Sequence, residues 1–86
     1  MNPVRRDDVI CREEEFGAII FDPQAGRMHK VNVTGLVIWN MCDGTTDTDT
    51  IVQKTAEHEG ESAESMKPAV DTFLKDMTDR QLIRWQ

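Results

Sequence analysis

From Leu36 to Cys42 the chain reads L-V-I-W-N-M-C, apolar at every position but Asn40, and Asp43-Gly44 follows at once. A helix of about two to three turns is unstable alone in water, so this one can exist only packed inside a core. Asn32 or Thr34 can cap its start by accepting an orphan backbone N–H. Gly44 can stop it by taking the left-handed conformation just past its end. The remainder of the chain has to supply the cover for this central helix.

Before the helix, Val9 to Arg12, Gly17 to Asp22 and Arg27 to Val31 read as three short strands. Asp22-Pro23-Gln24-Ala25-Gly26 places a φ-restricted and a φ-permissive residue between two of them, the chemistry of a hairpin turn. Alternation sets Met28 and Lys30 on one face and His29 and Val31 on the other, and Val31, which leads into the apolar helix, marks the core side. Residues 1 to 8 are expected to be a frayed lead-in, with Arg5 and Arg6 solvated or touching an acidic partner.

After the helix, Thr45 to Asp49 offers caps for a second helix with Ile51, Val52, Thr55 and Ala56 inward, ending near Glu59-Gly60. Ser65 is the expected cap of a third, with Pro68 in its first turn and Val70, Phe73, Leu74 and Met77 as one buried stripe. Leu82 to Trp85 is too short for a stable element alone and should tuck Leu82 and Ile83 against the core. Trp39 reads as core, while Trp85 reads equally as core and as a partner contact.

Sites of chemistry are hard to find in this pattern. Glu13-Glu14-Glu15 cannot converge on one ion, because successive residues point in different directions, so the triplet reads as a solvated turn. His29 and His58 have no evident partner for catalysis, and Cys11 and Cys42 lie too far apart for a ribbon or a C-x-x-C site and read as reduced thiols. Neither a nucleophile–base pair nor a phosphate loop is visible, which points away from an enzyme and calls for no cofactor and no metal.

Sixteen acidic against ten basic residues give a formal charge of −6 over 86 residues. Such a balance opposes the attraction that supplies most nucleic-acid binding. The recognition helix of a winged-helix DNA binder would here set Lys67, Lys75 and Arg80 against Asp71, Asp76 and Asp79, which disfavours that class. With no apolar run of bilayer length and no signal-like apolar centre in M-N-P-V-R-R-D-D, the expectation is one cytoplasmic domain spanning 1 to 86, with no membrane partner.

The spacing of Val31, Asn32, Thr34, Gly35, Ile38, Trp39, Asp43 and Gly44 resembles that of the PqqD-like family of peptide chaperones, the RiPP recognition elements. The likeness continues through T-D-T-D-T-I-V and D-T-F-L-K-D-M-T-D-R-Q-L-I, covering roughly residues 5 to 84. One departure is Gln81, where the family commonly has Gly before the final Leu-Ile. The resemblance implies a winged-helix-like α+β fold, a three-stranded antiparallel sheet followed by three helices. It also implies that the leader of a ribosomally made precursor peptide adds as a strand beside the third strand, for presentation to a radical SAM/SPASM-type maturase. Carried over by position, the pairing edge is Arg27, Met28, His29, Lys30 and Val31, and the third-helix wall is Val70, Asp71, Leu74, Lys75 and Thr78. An open strand edge also admits a second copy of the chain as a homodimer, or a purely structural role in a larger complex.

Overall fold

The computed structural model describes residues 1–86. Its elements in chain order are β1 (Pro3–Arg5), β2 (Ile10–Glu14), β3 (Gly17–Asp22), β4 (Arg27–Asn32), α1 (Val33–Asn40), α2 (Thr48–Glu59), α3 (Ala63–Asp79) and β5 (Ile83–Trp85). Strands β2, β3 and β4 form an antiparallel meander with β3 in the middle, and β1 pairs with β5 in a separate two-stranded sheet. The α+β, winged-helix-like class read from the sequence is the observed one.

Alternation in β3 decides which face of the meander the helices cover. Ala18 and Ile20 are completely buried beneath them, while Ile19 and Phe21 point to the outer face and stay half-exposed. Against the inner face sit Ile38, Trp39 and Cys42 from the α1 region, Ile51 and Val52 from α2, and Val70, Leu74 and Met77 from α3. Thr55 and Ala56 are buried as their spacing requires.

Capping fixes where two helices start, at an expected residue in α1 and at a different one in α3. In α1 the Asn32 carboxamide accepts the Gly35 N–H at 2.8 Å, so the helix begins at Val33 and its last residue is Asn40. Gly44 does take positive φ, 82°, but it lies beyond the helix, where its N–H donates to the Pro3 carbonyl. In α3 the cap is Ser62, whose hydroxyl accepts from Ser65 N–H at 3.1 Å, and not Ser65 itself. The helix therefore starts three residues early and Pro68 falls inside its second turn, where Glu64, whose carbonyl loses a donor, is exposed to water. The end of α2 is as expected: Gly60 has φ 68°, and Gly60 and Glu61 donate to the Glu57 and Ala56 carbonyls.

The N-terminal lead-in is corrected outright. Pro3, Val4 and Arg5 pair with Trp85, Arg84 and Ile83, so the two ends that local pattern left without structure complete each other as strands. Arg6 is not solvated either. Its guanidinium bonds the buried Asp22 carboxylate, the Asp8 carboxylate and the Gln81 carbonyl. Asp22 also accepts the N–H groups of Gln24 and Ala25, closing the β3–β4 turn, and the Arg6 hydrogen bond is the main reason its carboxyl sits below the usual range. Glu13 and Glu14 likewise belong to β2, leaving the turn to Glu15 and Phe16.

Candidate functional site

The meander leaves backbone groups unused along two outer edges, β2 and β4, and β4 is the one that lies beside α3. One side of it pairs with β3 from Asp22↔Arg27 to Gly17↔Asn32, and the other side has no strand partner. In an antiparallel pair alternate residues turn both N–H and C=O away from the neighbour, so about half of β4 presents donors and acceptors outward. Such an edge is a template for another extended chain.

Beyond that edge lies α3. Residues Met28 to Asn32, with Phe73, Asp76, Met77 and Arg80, enclose a groove of about 380 Å³. Past Phe73 it opens into a recess of about 700 Å³, between Asn32, Gly35 and Ile38 on one side and Ala69, Thr72 and Asp76 on the other. Asn32, Phe73 and Asp76 line both parts, so Phe73 stands at their junction. The recess is largely apolar, whereas the groove beside β4 is mostly polar, with His29, Lys30, Asp76 and Arg80 in its lining.

A polar chain ties the strand to the helix. Arg80 Nε donates to Asp76 at 2.9 Å, and Arg80 Nη1 lies 2.6 Å from His29 Nδ1. Arginine can only donate, so Nδ1 accepts and His29 is neutral there. Burial, and next the Arg80 charge, hold the His29 pKa below its ordinary value. On the rim Lys75 and Asp79 pair at 2.8 Å, an exposed i, i+4 contact of small energetic weight. Lys30, on the outer face, has no carboxylate partner, and its ammonium lies 4.5 Å from the centre of the Phe16 ring.

The expected pairing edge is therefore a single strand, with Val31 buried, His29 half-buried and Arg27, Met28 and Lys30 exposed. None of the five residues expected on the α3 wall lines the groove beside β4. Val70 and Leu74 are buried in the core, and Asp71 and Thr78 lie on the opposite flank of the helix. There Asp71 accepts from Lys67, while Thr78 accepts the indole N–H of Trp85 at 3.0 Å. Lys75 alone among the five reaches the rim of the recess. A buried stripe has two flanks, and helical period does not say which one the sheet edge faces. Ala69, Thr72, Phe73, Asp76 and Arg80 share the flank that does. Phe73, at the margin of the apolar stripe, was the legible sign of it.

The chain has no cluster of three or more His, Cys, Asp or Glu able to hold a metal ion. Burial pushes the Cys42 thiol up to about 12, and burial also raises Cys11, so neither is an activated nucleophile. No helix is long and apolar enough to cross a membrane.

Comparison with known proteins agrees with this geometry. The family described as Coenzyme PQQ synthesis protein D (PqqD) matches residues 17–83. No curated protein matches the sequence. Among solved structures, TbiB1 in complex with the TbiA(beta) leader peptide is similar with a TM-score of 0.81 and 15% identity, over 94% of each chain. The PqqD truncation of Methylobacterium extorquens PqqCD, described as a stand-alone RiPP recognition element, is similar with a TM-score of 0.77 and 13% identity. That match covers 95% of this chain and 87% of the other.

Proposed function

The chain belongs to the PqqD family, and we propose that it captures the leader segment of a ribosomally synthesised precursor peptide by strand addition to β4. The observation that carries this reading is the unpaired β4 edge facing a groove against α3 that adjoins a largely apolar recess. Main-chain hydrogen bonds to such an edge supply sequence-tolerant affinity, and a groove for alternate side chains supplies choice. TbiB1, which shares the fold, was solved holding a leader peptide.

In this reading the chain is not an enzyme and needs no cofactor. Holding the leader keeps the attached core near a modifying enzyme and raises its effective concentration there. The family resemblance makes a radical SAM/SPASM-type maturase the candidate for that enzyme, and the cytoplasm the compartment.

The test is a backbone amide NMR titration with the leader of a short precursor encoded beside this protein. Saturable shifts on Arg27–Asn32 and on Ala69, Phe73, Asp76 and Arg80 are expected. Shifts on Asp71, Thr78 and Trp85 instead would move the site to the other flank of α3. An absence of saturable shifts would favour a structural subunit that uses the same edge.

A further inference from the structure

The outer face of the meander is ordered in cross-strand rows that stop abruptly at the open edge. One row is Ile10, Phe21 and Met28, in which Ile10 is 59% and Met28 71% exposed. The next is Arg12, Ile19 and Lys30. Arg12 is balanced by Glu14 at 2.9 Å, whereas no carboxylate lies within ion-pair distance of Lys30. Lys30 is thus the one unbalanced cation of that face, and it sits on the strand where a guest would pair.

A further strand beside β4 would lengthen both rows by one residue each, and directly opposed side chains in a sheet interact. The guest residue beside Lys30 points outward, the one beside Val31 points into the groove over Phe73 and Met77, and the one beside Met28 points outward again. Opposite charge is favoured at the first position and apolar side chains at the other two. On the groove side a carboxylate would meet Asp76 and Asp79 at the rim. A tract of acids would also be opposed by the chain's own net charge of −6, so charge recognition is confined to one short-range pair.

We infer that the captured peptide carries a single outward carboxylate set against Lys30, next to an inward apolar residue over Val31 and two residues from an outward apolar residue beside Met28. Lys30 is then a specificity-determining residue of the β4 edge. This rests on the strand-capture reading above and adds to it the chemistry of the guest.

Random short peptides displayed on phage are selected in parallel against the intact protein and against K30E. The intact protein is expected to enrich alternating sequences with Asp or Glu at one outward position, and K30E to enrich Lys or Arg there. For a synthetic peptide from the first selection, K30E should weaken binding about fivefold, and replacing the peptide's acid by Lys should restore it. Alternating apolar binders that shift the β4 amides but ignore K30E would overturn the carboxylate assignment and leave strand capture standing. If no selected peptide shifts the β4 amides, both readings fall.

Discussion

Gly35 on α1 and Phe73 on α3 meet so closely that a β-carbon on the glycine would stand 2.9 Å from Cε2 of the ring. The contact sets where Phe73 stands, and Phe73 stands at the junction of the groove beside β4 and the recess beside α1. Gly35→Ala would recover about 1 kcal/mol of helix propensity, and the ring can swing aside because only its far edge is crowded. We expect stability in urea to change by less than about 1 kcal/mol, while leader affinity falls on the order of tenfold, or about 1.4 kcal/mol. Unchanged affinity measured by calorimetry would separate Phe73 from the binding site.

Gln81 has φ 61°, a left-handed backbone that costs a residue with a side chain roughly 1–2 kcal/mol. It stands just past the end of α3, where Gln81 and Leu82 donate to the Thr78 and Met77 carbonyls and bring Leu82 into the core. This is the position at which the family commonly has Gly. Gln81→Gly should stabilise the fold by about 0.5 kcal/mol once the extra freedom of glycine in the unfolded chain is subtracted. A lowered urea midpoint would contradict the strain.

Thr55 is completely buried, and its hydroxyl has no hydrogen-bond partner. Thr55→Val keeps the shape and removes the orphan, so a gain of about 1 kcal/mol is expected in chemical denaturation with an unchanged m-value. Destabilisation by a similar amount would reveal a bond made in solution.

His29 links folding to pH. Its folded pKa lies below the ordinary 6.5, because burial and then the Arg80 charge disfavour the imidazolium. The unfolded state therefore binds the proton first as acid is added. The contribution of neutral His29 is present in full above about pH 6.5 and is lost as pH falls through the folded pKa. His29→Gln should flatten this part of the stability profile, and an NMR titration of the ring should give a pKa under 6.5. A raised pKa would mean that Arg80 does not face the ring.

The Phe73 and Gln81 results show where local pattern runs out. The apolar stripe of α3 was readable because Val70, Leu74 and Met77 recur at helical spacing, and all three are buried. Val31 and His29 were readable as inward because strand alternation is strict. The α3 residues named from the sequence lie off the β4 groove because a stripe has two flanks and their assignment follows from how the helix lies across the sheet. Asp71 and Thr78 went to the side of Trp85, and Asp76 and Arg80 to the side of His29.

What the sequence by itself determined was the set of elements from β2 to α3, the three-stranded meander with its two open outer strands, and the identity of the central helix. These depend on period, caps and turn residues, which act over a few positions. Only the tertiary structure decided that Pro3–Arg5 and Ile83–Trp85 are strands, that Arg6 reaches the buried Asp22, and that Phe73, Asp76 and Arg80 face β4. Those relations join residues far apart in the chain, and they are selected by packing and pairing in three dimensions, which no local pattern records.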